Sequence, residues 1–212
     1  MIALDKLLFE ELKRQCAACG FARKGKAFFR VHGDGVLQVI RCKYERALRG
    51  DILSVGLFSL YGDLQPQWFT ASGCITRYSA ENCAQQSNRP VTCALPMQTQ
   101  LELLETRVQP WLDTIDSQKK LIRAISRLDP RWNDGLKLGP YLACGEVNHA
   151  RKVLREILDQ HDFARYNGTR ESGNFDHLLT LQDILNRDDP AELRSYLTQN
   201  YKRNMQYAKF CR

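Results

Sequence analysis

The stretch "AFFRVHGDGVLQVIRCKY", residues 27–44, constrains the fold most, because two strand-like runs flank a short glycine turn. The turn is Gly33-Asp34-Gly35, and glycine is the residue that best tolerates the positive φ angles of such connections. A three-residue connection also fixes the pairing of the flanking residues, and it sets Arg30 opposite Gln38. The segment therefore predicts an antiparallel β-hairpin.

A helix and two further strands surround this hairpin in the sequence. Residues 3–18 place leucines at helical spacing and stop before Gly20, as is typical of an amphipathic helix. After the hairpin, "DILSVGLFSLYG" (residues 51–62) and "QWFTASGCITRYS" (residues 67–79) have the composition of strands. Four successive strands with short connections predict an antiparallel meander, with the first helix packed on one face.

From residue 97 onward the sequence predicts helices. The run "LELLETRVQPWLDTI" predicts a helix with a kink or break at Pro110, because proline has no backbone N–H. The predicted fold class is therefore α+β: an N-terminal helix packed on an antiparallel β-meander, followed by a helical C-terminal part. We expect residues 1–96 to form the helix-and-sheet domain and residues 97–212 to form a helical region packed on it.

The positive charge is concentrated near the N terminus, and no segment has the composition of a membrane helix. The net charge is +7, and residues 1–50 hold 11 Lys and Arg against 5 Asp and Glu, so most of the excess lies near the hairpin. No stretch approaches the roughly 20 apolar residues of a membrane helix. The charged start also lacks the pattern of a secretory signal. We expect a cytoplasmic protein with no membrane partner.

Eight cysteines are scattered along the chain, and only Cys16 and Cys19 form a close pair. Zinc would need two further ligands at similar spacing, and none follows. The pair ends the first helix, where the helix dipole disfavours a thiolate. We expect free thiols, no metal and no cofactor. The sequence also has no Gly-rich phosphate loop and no nucleophile elbow, so it nominates no catalytic residue.

The order of elements in the N-terminal half resembles a known family. A helix ending at Gly20-Phe21 precedes "RKGKAFFR", then a hairpin strand "VLQVI", and then "ILSVGLFSLYG". Over roughly residues 4–80 this order is similar to the bacterial domain of unknown function 4304 family. The resemblance implies an α+β domain with a helix on an antiparallel sheet. It implies no activity, because that family is uncharacterised.

The hairpin register divides its side chains between two sheet faces. Phe29, Val31, Leu37 and Val39 form an apolar row that we expect to face the core. The other face combines guanidinium, imidazole and carboxamide groups, which can bind an anion or a peptide through hydrogen bonds. The residues predicted for this ligand or partner surface are Arg30, His32, Gln38, Tyr44 and Lys26. The alternative is a solvated face without a ligand, as many antiparallel sheets have.

A second candidate site is a basic patch, predicted to contain Arg23, Lys24, Arg41 and Lys43. Binding to a nucleic-acid backbone requires several cations on one surface, and single strands also use exposed aromatic side chains. Strand parity places Arg41 and Lys43 on the face opposite Arg30. A contiguous basic surface would favour a polyanion, and a divided one would not.

These observations favour a binding protein over an enzyme. The first hypothesis is non-enzymatic binding of a protein or peptide partner through the face with Arg30, His32 and Gln38. The second is binding of nucleic acid or another polyanion through the N-terminal basic residues. The third is an enzyme whose motif the sequence does not reveal.

Overall fold

The computed structural model describes residues 6–45, 50–63, 78–79, 95–128, 134–166 and 176–209. It contains an antiparallel sheet followed by helices, which confirms the predicted α+β fold class. Helix α1 spans Lys6–Ala18, and the strands are β1 (Ala22–Lys24), β2 (Ala27–His32), β3 (Val36–Glu45), β4 (Gly50–Ser59) and β5 (Tyr78–Ser79). Their order in the sheet is β1-β2-β3-β4-β5, a meander. Apart from β5, the strand predicted at residues 67–79 lies outside the described residues.

The C-terminal part is helical, as predicted. Its helices are α2 (Met97–Leu103), α3 (Gln109–Asp113), α4 (Gln118–Leu128), α5 (Asp134–Ala143), α6 (Val147–Tyr166), α7 (Asp176–Arg187) and α8 (Pro190–Lys209). A π-helical turn, Leu104–Val108, joins α2 to α3 without a break. This wider turn precedes Pro110, whose ring would clash with the carbonyl group four residues earlier in an α-helix. The predicted irregularity is therefore a change of helix type.

The β2–β3 hairpin has the predicted register, and its turn has a second role. Gly33 and Gly35 have φ angles of +52° and +65°, in the left-handed region that favours glycine. An added Cβ at Gly33 would lie 1.8 Å from the carbonyl oxygen of Asp116. The backbone N–H of Asp34 donates to the same oxygen at 2.8 Å. The turn therefore also docks on the segment before α4.

Both faces of the sheet are largely buried, which corrects the expectation that one face would stay in water. Phe29 and Leu37 are buried on the predicted core face, although Val31 in the same row is exposed. Phe28 and Ile40, on the opposite face, are buried to the same degree. The reason lies in β4, whose apolar run "ILSVGLFS" is nearly continuous. Such a run is typical of a strand that is buried on both faces.

Helix α1 covers part of this second face. The ring of Phe9 lies 6.3 Å from that of Phe28, and Leu12 and Cys16 are fully buried one helical turn apart. The spacing of these residues along α1 directs one stripe of the helix toward the sheet. The predicted packing of the first helix on the meander is confirmed.

One side chain of helix α2 forms hydrogen bonds with the backbone groups at the outer edge of β4. The Gln100 Oε1 accepts a hydrogen bond from the N–H of Leu53 at 2.8 Å. Its Nε2 donates to the carbonyl groups of Asp51 at 2.9 Å and Leu95 at 2.8 Å. A carboxamide has the donor and acceptor of a peptide group, so buried Gln100 takes the place of a neighbouring strand.

Helices α5 to α8 enclose a second hydrophobic cluster, and α8 attaches to the end of β4. The Asn204 Nδ2 donates to the carbonyl groups of Leu60 at 2.8 Å and Gly62 at 2.7 Å. The core around the sheet also includes residues of α2 to α4. The division at residue 96 stays a prediction, and the core packs across that position.

Candidate functional site

The first part of the predicted partner surface is the pair Arg30 and Gln38, which the structure buries. Gln38 is 0% exposed, and its Oε1 accepts two hydrogen bonds from the Arg30 guanidinium, at 3.0 Å from Nε and 2.6 Å from Nη2. The Gln38 Nε2 donates to the carbonyl groups of Leu112 at 2.8 Å and Ile115 at 3.4 Å. The pair therefore joins the sheet to the end of α3.

The remaining donors of Arg30 are also used within the protein. Its Nη1 donates to the carbonyl group of Cys19 at 2.9 Å, at the end of α1, and its Nη2 pairs with Asp113 at 2.6 Å. The guanidinium carbon lies 4.6 Å from the centre of the Phe21 ring. With 12% of its side chain exposed, Arg30 connects two helix ends to the sheet.

The third residue, His32, is half-buried beside this pair, and its Nε2 lies 3.1 Å from the carbonyl oxygen of Asp113. The expectation that Arg30 and Gln38 form an open surface is therefore wrong. The helices after residue 97 cover the face, and the polar groups are satisfied by helix-end carbonyls. We interpret Arg30 and Gln38 as structural polar residues.

The other part of the predicted surface remains exposed at the opposite end of the hairpin. Tyr44 is 44% exposed, and Lys26 is exposed in the turn between β1 and β2. The backbone N–H of Cys42 donates to the carbonyl group of Lys26 at 3.0 Å. This bond continues the β2–β3 register, so Lys26 lies opposite Cys42 and on the same sheet face as Tyr44.

The predicted basic patch is partly brought together at this end. Lys24 pairs with Ala27, and Ala27 pairs with Arg41, so the two cations lie on one sheet face on either side of a small side chain. Lys43, two residues after Arg41, faces the same way. Arg23 lies on the opposite face, where its guanidinium carbon is 5.3 Å from the centre of the Phe9 ring. Three of the four predicted residues therefore share a face.

We call this surface the basic sheet end and define it by its exposed or half-exposed residues Lys24, Lys26, Arg41, Lys43 and Tyr44. Within the described part of the chain, neither Lys24 nor Lys26 forms an ion pair. In α1, by contrast, Lys13 and Arg14 each pair with a glutamate three residues earlier. Exposed lysines without an ion-pair partner attract anions more strongly than paired ones.

The opposite end of the sheet holds a polar cluster that the sequence did not reveal. Arg203 on α8 pairs with Asp63, and the Nδ1 of His177 lies 3.7 Å from the Asp63 Oδ2. The Asn200 Nδ2 donates to the carbonyl group of Tyr61 at 3.3 Å. The only available signal was the helical spacing of Asn200 and Arg203 on α8. These contacts hold α7 and α8 against the end of β4.

The described cysteines carry free thiols in environments that disfavour ionisation. Burial raises the pKa of Cys16 to about 12 and that of Cys42 to about 11. Burial also raises the pKa of Cys19, whose Sγ donates to the Gln109 Oε1 at 2.7 Å. A protonated thiol is a poor nucleophile and a poor metal ligand. Cys144 is the fourth described free thiol, and Cys74, Cys83, Cys93 and Cys211 lie outside the described residues.

A metal-binding cluster and a membrane-spanning helix are both absent from the described ranges. No cluster of three or more His, Cys, Asp or Glu side chains in these ranges is arranged to hold a metal ion. None of the helices described is both long enough and apolar enough to cross a membrane. The basic sheet end is therefore the candidate site that we consider further.

Comparisons of the chain with protein-family models, with curated proteins and with solved structures found no match. The resemblance to the domain of unknown function 4304 family stays a prediction.

Proposed function

We propose that this protein binds the phosphate backbone of nucleic acid through the basic sheet end. The observation that carries the proposal is the shared face of Lys24, Arg41 and Lys43, which places three cations on β1 and β3, on either side of β2. Contacts between such cations and phosphates release counterions, which drives binding that does not depend on sequence. The first hypothesis, a protein or peptide partner bound through the face with Arg30, His32 and Gln38, has less support, because helices cover Arg30 and Gln38.

The electrostatics of the chain support the same proposal. The net charge is +7, and the N-terminal 50 residues hold most of it. Lys24 and Lys26 flank Gly25, a turn residue around which an added Cβ would meet nothing within 4 Å. Both lysines are exposed, so an anion can approach them from solvent.

The test is fluorescence anisotropy of a labelled oligonucleotide titrated with the protein over a series of salt concentrations. The variant Lys24→Ala/Lys26→Ala removes two charges from the basic sheet end. We expect it to bind more weakly than the unmodified protein at about 50 mM salt, with a log–log salt slope smaller in magnitude by about 1.4–1.8.

The matched control is Lys119→Ala/Lys202→Ala, which removes two exposed lysines without a described ion pair. Lys119 follows the segment that docks on the hairpin turn, and Lys202 lies on α8 near the end of β4. Both are thus at the opposite end of the sheet. We expect the control to retain the affinity and slope of the unmodified protein. Equal losses in both variants, or no binding at about 50 mM salt, would contradict the proposal.

A further inference from the structure

The cations of the basic sheet end continue from one face of the sheet to the other round the β1–β2 turn, where Lys24 and Lys26 flank Gly25. Lys24 and Arg41 share one face, as their pairing with Ala27 shows, whereas Lys26 lies with Cys42 on the other. An anionic backbone that contacts both groups has to pass round the end of the strands. A DNA duplex has a persistence length of about 50 nm, so bending it sharply over a few base pairs costs free energy. A single strand turns over this distance readily.

The same end presents an aromatic side chain to solvent. Among the described residues, the large apolar side chains that are exposed are Leu7, Val31, Tyr44 and Leu179, so Tyr44 is the aromatic member of this group. It lies on the same face as Lys26 and diagonally across the strand pair from it, and diagonal neighbours in a sheet are about 7–8 Å apart. Unstacked bases bind to such exposed rings, and every base has a face that can stack.

We infer that the nucleic acid bound at the basic sheet end is single-stranded, with its backbone passing over the end of the hairpin and a base stacked on Tyr44. This inference rests on the proposed function and names the class of nucleic acid. Lys26 lies beside the ring and contacts the phosphate next to the stacked base. Lys24 and Arg41 contact the backbone after it has crossed to the other face.

The experiment compares two labelled probes in the anisotropy assay: an oligothymidylate of roughly 12 nucleotides, within the site sizes of small single-strand-binding folds, and a mixed-sequence duplex of the same length. The duplex carries more phosphates, so purely electrostatic binding favours it. We expect the unmodified protein to bind the single strand about tenfold more tightly than the duplex.

The substitution Tyr44→Ala tests the stacking contact. We expect it to weaken binding of the single strand about tenfold, the size of one lost stacking contact, and to leave binding of the duplex unchanged. Its salt slope should equal that of the unmodified protein, because the lost contact is not ionic. Tyr44→Phe keeps the ring and should restore the affinity. Leu179→Ala removes an equally exposed apolar side chain on α7 and should have no effect.

The outcomes separate this inference from the proposed function. If both probes bind equally and Tyr44→Ala changes neither affinity, the basic sheet end binds nucleic acid without regard to strandedness, and the inference is wrong. Tighter binding of the duplex would overturn it as well. If neither probe binds at about 50 mM salt, the proposed function itself fails.

Discussion

Removal of the Arg30 side chain tests the structural role that we assign to the Arg30–Gln38 pair. In the variant Arg30→Ala, the buried Oε1 of Gln38 loses two donors, at 3.0 Å and 2.6 Å, and the carbonyl group of Cys19 loses one at 2.9 Å. A buried acceptor left without a partner costs about 1–3 kcal/mol. The ion pair with Asp113 adds less than about 1 kcal/mol, because that carboxylate is 53% exposed.

Together these contributions predict that Arg30→Ala lowers the free energy of unfolding by about 2–4 kcal/mol. For a chain of this size, the melting temperature should fall by roughly 4–16 °C. The assay is urea denaturation followed by circular dichroism, with the melting temperature measured in parallel. The control is Arg155→Ala, at an exposed arginine on α6 that has no described ion pair, and it should change stability by less than about 0.5 kcal/mol.

A double-mutant cycle with Gln38→Ala isolates the contact itself. If the two side chains stabilise each other, the effects of the single substitutions should not add, and the coupling energy should lie in the range of about 0.5–3 kcal/mol. A loss for Arg30→Ala as small as that for Arg155→Ala would refute this reasoning. It would return Arg30 to the exposed surface predicted from the sequence.

Three further predictions concern the edges, the turn and the thiols of the fold. Gln100→Ala should lower the free energy of unfolding by about 2–4 kcal/mol, because it leaves the N–H of Leu53 and the carbonyl group of Asp51 unpaired. The control is Gln98→Ala, at an exposed position on the same helix, which should leave stability unchanged in the same denaturation assay. Gly33→Ala should lower the free energy of unfolding more than Gly25→Ala does. Gly25 has a φ of +60° and open space around it, so alanine there adds only backbone strain, which costs about 1–2 kcal/mol. Equal losses in the two variants would show that the backbone at Asp116 moves to make room for the added Cβ. In the folded chain, burial raises the pKa of the Cys16 thiol to about 12 and that of the Cys42 thiol to about 11, so both hold their protons above the ordinary pKa of 9.0. The unfolded chain releases these protons first, so stability should fall as the pH rises above about 9. The fall should be shallower in Cys16→Ala/Cys42→Ala, and an unchanged slope in that variant would contradict the assignment.

The hairpin was predictable from sequence, whereas the contacts that bury its polar face were not. The turn Gly33-Asp34-Gly35 specifies its own length and φ angles, and turn length determines which residues pair. The partners of the Gln38 Nε2 are the carbonyl groups of Leu112 and Ile115, more than 70 positions away. Every residue has a backbone carbonyl group, so no pattern of residues in the sequence indicates which carbonyl groups Gln38 contacts.

One signal in the sequence did indicate that the second face is buried. The segment "ILSVGLFS" of β4 has apolar residues at both parities, which is typical of a strand covered on both faces rather than of one with a wet face. The hairpin strands alternate more strongly, and their polar residues Arg30 and Gln38 suggested solvent. A polar side chain on a sheet face can equally be the point at which helix ends attach.

The residues at the exposed end of the hairpin were predicted as parts of two separate sites, Lys26 and Tyr44 in the partner surface and Lys24, Arg41 and Lys43 in the basic patch. Lys24 and Lys26 are separated by a glycine in a tight turn, where lysines are rarely covered. The predicted register pairs Ala27 with Arg41, whereas the strand β1, which pairs Lys24 with Ala27, was not predicted from the sequence. What the sequence left open was whether the cations share a face, and the position of the short strand β1 decides it.

The most direct test of the proposed nucleic-acid binding is a lysine footprint. The protein is acetylated with and without a saturating oligothymidylate at low salt, and the modification of each lysine is measured by mass spectrometry. We predict that Lys24, Lys26 and Lys43 are protected by the oligonucleotide, while Lys119 and Lys202 at the opposite end of the sheet are modified to the same extent in both samples. Protection centred on Lys119 and Lys202, or uniform modification of all five lysines at saturation, would contradict the assignment of the basic sheet end as the binding site.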